Sequence, residues 1–265
     1  MADEFGTRRI PTYIQGLDDE MQGGVPEGHV ILVAGTAGTM KSSITFNLLY
    51  NEALKGKVGL YLTLEQSYRS LLKHVINMGY DLKQVNLVIL DDISKINEAL
   101  AKVRSDKGCI IISDLGAIRK QIKTMGDKAS GDWLNVIKNL LKKIRENTDL
   151  SLFVLDSLSA LYVLSDFTQA RSSLFFLYEY FRDLAITTFL ISEMPLVGTK
   201  YGEFEIEDFL ADGIIHLSLS PRMRKIDRNI SVVKMRGTKV NSDIFTLEFK
   251  NARFYALYGG KTPLV

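Results

Sequence analysis

Residues 30–34, Val-Ile-Leu-Val-Ala, run straight into Gly35, Thr36, Ala37, Gly38, Thr39, Met40, Lys41, Ser42 and Ser43. A buried strand, a glycine-rich turn and a helix in that order are the setting of a phosphate-binding loop. In such a loop the backbone N–H groups wrap the α- and β-phosphates, Lys41 reaches the β/γ oxygens and the Ser42 hydroxyl ligates Mg²⁺. The helix beginning near Ser42 directs the positive end of its dipole at the same point. One position departs from the pattern, because Met40 stands where a glycine normally precedes the lysine. Glycine there allows close approach of backbone to phosphate and a backbone angle that other residues avoid. Methionine is slim and flexible, so the expectation is a loop that keeps ATP and hydrolyses it slowly, with the Met40 side chain turned toward the nucleotide or a subunit interface.

The rest of the chain supplies a sheet for this loop to sit on. Apolar runs at 30–34, 58–64, 86–90, 109–112, 151–155 and 186–191 alternate with helical patterns. Uninterrupted apolar strands are buried on both faces, which predicts a mostly parallel central sheet flanked by helices. Leu134, Ile137, Leu141 and Ile144 recur at helical spacing and place an amphipathic helix over 132–146, capped by Asp132. After about residue 213 the pattern changes. Phe245, Leu247 and Phe249 alternate with polar residues, then Asn251-Ala252 precedes a second run at 253–258. That is a half-exposed hairpin, so the sheet is expected to end in antiparallel C-terminal strands.

At 265 residues with 46% apolar content, one α/β domain with its core between about 10 and 258 is the expectation. A net charge of +2 gives no general attraction for nucleic acid or anionic membrane. The lone cysteine, Cys109, lies in an apolar run and reads as a core residue, and there is no Cys-x-x-Cys or His-Glu-x-x-His to suggest zinc. Neither a membrane span nor a signal peptide is legible, which points to the cytoplasm.

A phosphate loop needs a second metal-positioning group, usually an aspartate closing another buried strand. Asp91, Asp114 and Asp156 all fit that description, and spacing does not choose among them. Lys234 and Arg236 stand two apart on an expected strand, so both side chains leave one face and can reach one target. Protection of an edge strand by basic residues is the alternative.

The segment Ile10-Pro-Thr-Tyr-Ile-Gln-Gly-Leu-Asp18, followed by Gly23-Gly-Val-Pro-Glu-Gly28, resembles the entry sequence of the RecA superfamily, and of its KaiC-like branch most of all. Four further segments resemble that branch in the right order: Leu62-Thr-Leu-Glu-Gln-Ser67, Leu155-Asp-Ser-Leu-Ser-Ala160, Leu210-Ala-Asp-Gly-Ile-Ile215 and Val233-Lys-Met-Arg-Gly-Thr238. The resemblance implies a RecA-like core and favours Asp156 as the aspartate on the Mg²⁺ side. It also implies that Glu65 polarises the attacking water, a task suited to a carboxylate that accepts the water's proton. KaiC proteins carry two adjacent glutamates here, whereas this chain has Glu65-Gln66, which lowers the local negative charge by one. By the same resemblance Lys234, Met235, Arg236 and Thr238 belong to an element that extends to the γ-phosphate bound by a neighbouring subunit. The implied assembly is a homo-oligomer, a hexamer by analogy.

Three functions follow as expectations. The first is an oligomeric Mg²⁺-ATP-binding protein, slow in hydrolysis and regulatory or signalling in role, of which an autokinase is a variant. The second is a non-hydrolysing, nucleotide-sensing scaffold or regulator of a larger machine with an unidentified protein partner. A RadA-like recombination ATPase is the weaker third. Its DNA-holding loop would follow the 186–191 run, where Glu203, Glu205, Glu207 and Asp208 repel a phosphate backbone. The basic stretches Arg222–Arg228 and Arg119–Lys123 are expected to be solvated.

Overall fold

All six apolar runs become strands; five are buried almost throughout, as expected, and the one at 86–90 lies at the sheet's edge and is half-buried. The computed structural model describes residues 6–103, 107–124, 133–164, 170–194, 201–203, 206–222 and 224–258. Three short strands, β1 (Arg9–Ile10), β2 (Ile14–Gln15) and β3 (Val25–Pro26), precede β4 (Val30–Gly35), and α1 (Lys41–Leu54) follows the loop. The chain then alternates through β5 (Val58–Thr63), α2 (Tyr68–Asn77), β6 (Asn86–Leu90), α3 (Ile96–Leu100), β7 (Cys109–Asp114) and α4 (Leu115–Thr124). Next come α5 (Trp133–Asn147), β8 (Leu150–Asp156), α6 (Leu158–Leu164), α7 (Ala170–Asp183) and β9 (Thr187–Glu193). The last elements are α8 (Glu207–Leu210), β10 (Gly213–Arg222), β11 (Lys225–Met235), β12 (Phe245–Lys250) and β13 (Arg253–Leu257).

Eleven strands form one sheet in the order β2-β13-β12-β11-β10-β4-β9-β8-β5-β7-β6. The seven from β10 to β6 in that order are parallel, and β10 through β13 pair antiparallel. Alternation along β4 divides the core. Val30, Leu32 and Ala34 face the side covered by α3 to α7, while Ile31 and Val33 face α1, α2 and the C-terminal strands.

The expected helix over 132–146 is α5, buried through Val136, Ile137, Leu140, Leu141 and Ile144. Its proposed cap Asp132 lies outside the described residues. Cys109 is fully buried, as a core residue should be. The C-terminal hairpin turns on Asn251 and Ala252, whose φ angles of 52° and 56° are those of a two-residue type I′ turn. The entry segment also acquires a physical role. Asp18 accepts hydrogen bonds from the Thr12 amide and hydroxyl and from the Tyr13 amide, and Asn47 of α1 donates to the carbonyls of Thr12 and Tyr13. These bonds hold β2 against β13 at the sheet's edge.

Two details differ from the sequence expectations. β11 ends at Met235, so Arg236 lies in the following turn rather than on the strand with Lys234. The acids expected to repel phosphate are only partly available. Glu207 is fully buried and accepts a hydrogen bond from the Tyr162 hydroxyl at 2.7 Å, while Glu203 is exposed. Glu205 lies outside the described residues. No helix among the described residues is long and apolar enough to cross a membrane.

Candidate active site

Parallel strands deliver their C-terminal ends to one edge of the sheet, and helix N-termini with them. Gly35 closes β4 where an added side chain could not fit, since a Cβ there would lie 2.4 Å from the Leu217 carbonyl oxygen. The loop then turns through Gly38 at φ 80° and Met40 at φ 73°. Met40 thus holds, at the N-cap of α1, the left-handed conformation that suits glycine. Its side chain is half-buried against the apolar cluster on the α1 face. Thr39 is buried and closes the turn through its hydroxyl on the Thr36 carbonyl at 2.8 Å.

Lys41 is buried and has three acceptors: the carbonyls of Gly35 (2.8 Å) and Thr36 (2.9 Å), and Glu193 Oε1 at 2.7 Å. Glu193 ends β9 and is the register partner of Gly35. Of the three strand-end aspartates, Asp91 is exposed, and Asp114 accepts the amides of Tyr68 and Ala117. Asp156 is buried beside Ser42, and the Tyr61 hydroxyl donates to its Oδ2 at 2.6 Å. Burial pushes the Asp156 carboxyl above the usual range, against hydrogen bonds from Tyr61 and Ser42 and the charge of Lys41. Ser42 and Asp156 are hard oxygen donors side by side, a donor set that suits Mg²⁺.

Glu65 follows β5 by two residues and is exposed at the same edge. The Ser157 hydroxyl donates a short hydrogen bond to Glu65 Oε1, and accepts one from the Ala160 amide. Gln66 borders a cleft of about 650 Å³ together with the loop from Gly38 to Ser43, His74, Glu193, Arg228, Leu247 and Phe249. Ser43 Oγ and His74 Nε2 are hydrogen-bonded at 3.0 Å. A second cleft of about 460 Å³ opens at the far end of α1. Several of its polar groups are committed to the fold, as Asn47 is to Thr12, Tyr13 and Tyr80, and no phosphate-binding loop lines it.

Lys234 and Arg236 are not part of this cluster. Lys234 Nζ donates to the carbonyls of Asp208 (2.9 Å) and Ala211 (2.7 Å). Arg236 donates to Asp212 Oδ1 at 2.8 Å and to the Phe209 carbonyl at 3.0 Å. Asp212 also accepts the amide of Val30, the first residue of β4. The pair therefore sits at the opposite end of β4 from the loop, five residues and roughly 17 Å away at about 3.3 Å per residue. Burial and the adjacent Arg236 charge hold the Lys234 ammonium below its usual pKa. Met235 is buried in the core, and Thr238 accepts a hydrogen bond from Arg9 at 2.8 Å.

The family model for KaiC ATPases matches residues 10–255. The chain belongs to the KaiC ATPase family. It therefore carries a nucleotide-binding ATPase domain, on the RecA-type fold that the sheet order displays. A UPF0273 protein of Saccharolobus solfataricus is 29% identical over 237 residues, covering 88% of this chain and 77% of that protein. A UPF0273 protein of Thermotoga maritima is 25% identical over 261 residues, 96% of this chain and 98% of its own. The circadian clock oscillator protein KaiC of Thermostichus vulcanus is 25% identical over 233 residues; the match covers 87% of this chain but 40% of the clock protein. Among solved structures, a KaiC-like protein of Pyrococcus horikoshii superposes with a TM-score of 0.69 at 24% identity, covering 94% of this chain and 99% of that one.

Three residues near the KaiC-type loop carried no sequence signal. Arg228 was grouped with a solvated turn, yet it lies on β11 and its Nε donates to the Gly38 carbonyl at 3.1 Å. Arg222 and Lys225 are the register partners at the end of the β10–β11 hairpin. Glu193 ends a strand with no motif around it, and Tyr61 sits inside an apolar run where its hydroxyl is easily overlooked. Only a register between strands places any of them at the site.

Proposed function

We propose that the chain binds Mg²⁺-ATP at the Gly35–Ser43 loop and hydrolyses it slowly between subunits of a homo-oligomer, with nucleotide occupancy serving a regulatory role. The observation that carries this reading is the meeting of Lys41, Ser42, Asp156 and Glu65 at one edge of the sheet, with Lys234 and Arg236 out of reach at the other.

In this reading the loop amides and the N-terminus of α1 bind the phosphates. Lys41 exchanges Glu193 and two carbonyls for β- and γ-oxygens. Ser42 and Asp156 would hold Mg²⁺, which supplies charge neutralisation between the phosphates when bound. Water attacks the γ-phosphorus; its oxygen forms the new P–O bond as the bond to the β–γ bridging oxygen breaks, giving ADP and inorganic phosphate. Glu65 takes the water's proton, held in orientation by the Ser157 hydroxyl. Gln66 orients by hydrogen bonding but adds no charge. The Lys234–Arg236 pair of one subunit stabilises charge on the nucleotide of the next.

The second reading, a nucleotide-sensing regulator that scarcely hydrolyses, is favoured by Met40 and Gln66 alone. Turnover per subunit measured against protein concentration, with Lys41→Ala as the blank, separates the two. Turnover above the blank that rises with concentration supports the shared-site ATPase. Turnover equal to the blank at every concentration sinks it and leaves the regulator.

A further inference from the structure

β5 reads Val-Gly-Leu-Tyr-Leu-Thr, and the Tyr61 hydroxyl interrupts its apolar middle. Tyr61 is fully buried, where an unpartnered hydroxyl would forfeit all of its hydration. Its oxygen is instead at the centre of the metal-side apparatus. It donates to Asp156 Oδ2 at 2.6 Å, and the side chains of Ser42 and Thr45, near the start of α1, lie close to the same hydroxyl. Register explains the meeting. Tyr61 is opposite Val154, and Asp156 lies two residues further along β8, so both side chains rise on the α1 face. Phe46 of α1 packs against the Tyr61 ring with centroids 6.2 Å apart and fixes where the hydroxyl falls.

We propose that Tyr61 is a positioning residue for the metal-side aspartate, fixing the Asp156 carboxylate so that Mg²⁺ and ATP bind as a coupled pair. The inference rests on the Mg²⁺-ATP reading above. The terminal torsion of an aspartate is broad and two-fold, so an untethered carboxylate samples many orientations. A hydrogen bond to one oxygen selects one of them and leaves the remaining lone pairs for Ser42 and a metal. The donor's neutrality matters as much as its position. A lysine or arginine in this place would cancel the charge that draws Mg²⁺, whereas a phenol orients the carboxylate and leaves its charge intact. Partners of this kind typically alter metal affinity 10- to 100-fold when removed.

The test uses the full chain and a fluorescent, non-hydrolysable ATP analogue, with Mg²⁺ titrated at fixed nucleotide. Tyr61→Phe keeps the ring that Phe46 packs on and removes only the hydroxyl. The Mg²⁺ concentration giving half-maximal binding should rise about tenfold, while affinity for the analogue in excess chelator stays unchanged. A native Mg²⁺ midpoint in Tyr61→Phe overturns the inference, whatever happens to its melting temperature. So does equal weakening with and without Mg²⁺, which would make Tyr61 a support for the loop alone. Asp156→Asn, which removes the buried charge, supplies a background for the double variant should Tyr61→Phe fold poorly. There Tyr61→Phe should add nothing to the Mg²⁺ midpoint, and a further shift overturns the inference. Failure of the underlying reading looks different: Lys41→Ala then binds the analogue as well as the native chain does.

Discussion

The two ends of β4 hold the same kind of chemistry in opposite conditions. At its C-terminal end Lys41 is buried, with a carboxylate and two carbonyls around one ammonium, and Ser42, Asp156 and Glu65 stand within one cluster. At its N-terminal end Lys234 and Arg236 lie side by side and repel each other, held by helix-end carbonyls and one shared aspartate. The first end has a loop to receive an anion; the second has cations and no loop. Neither can serve the other within one chain across roughly 17 Å of strand. The difference is what supports the shared-site reading proposed above, in which each end is half of a site and the whole site needs two subunits.

The sharpest way to break that comparison is to separate the halves onto different chains. Arg236→Ala should lower turnover by about 10³-fold while leaving nucleotide binding intact, the effect expected of a finger acting on transition-state charge. Lys41→Ala should abolish binding at its own loop. Mixed oligomers of the two variants should regain activity, because some interfaces then join an intact loop to an intact pair. Absence of recovery in oligomers shown to be mixed would place the function of Arg236 within its own chain.

A smaller effect distinguishes how the second end is built. Asp212 is the joint between Arg236, Arg182 and the start of β4. Burial works against its charge, but the Val30 amide and the Arg182 guanidinium outweigh it and hold the carboxyl below its usual pKa. A depressed folded pKa means that the unfolded chain takes up the proton first as pH falls. The stability Asp212 contributes is therefore present above the ordinary carboxylate value near 3.9 and is lost as pH falls through the lower folded value. Asp212→Asn should cost about 2–3 kcal/mol at pH 7, since it leaves two guanidinium groups without their shared charge. Denaturant melts across pH should show the native and variant curves converging in acid. Parallel curves at every pH would mean that Asp212 acts through shape alone.

How much of this could be read from the chain differs between the two ends for a physical reason. The loop is local: strand, turn and helix are consecutive, so Gly35, Lys41 and Ser42 announce themselves, and the buried strands do so by composition. Favouring Asp156 over Asp91 and Asp114 rested on the family resemblance of its segment, because the register of β5 with β8 is encoded by no spacing within the sequence. Glu193 and Arg228 were invisible for the same cause, since they reach the loop from β9 and β11. Tyr61 was concealed differently, because tyrosine counts as apolar in a strand pattern and its hydroxyl matters only once an acceptor is known. At the second end the spacing of Lys234 and Arg236 was legible, but not that the strand stops between them or that both lean on the segment from Asp208 to Asp212.

Met40 offers the smallest effect and bears on how complete the first end is. Holding a non-glycine residue at φ 73° costs roughly 1–2 kcal/mol, which glycine at this position relieves. Glycine in turn gives up roughly 0.5–1 kcal/mol of chain entropy, together with the packing of a half-buried methionine. These nearly cancel, so Met40→Gly should leave the melting temperature and the assembly almost unchanged. Its consequence falls on the phosphate, since removing the side chain lets the backbone of the loop close on the nucleotide. Turnover per subunit should therefore rise a few-fold at constant oligomer size. A rate that stays level or drops would mean that the methionine does not slow the loop, and would leave Gln66, where Glu65 lacks a second carboxylate beside it, as the remaining ground for proposing slow hydrolysis.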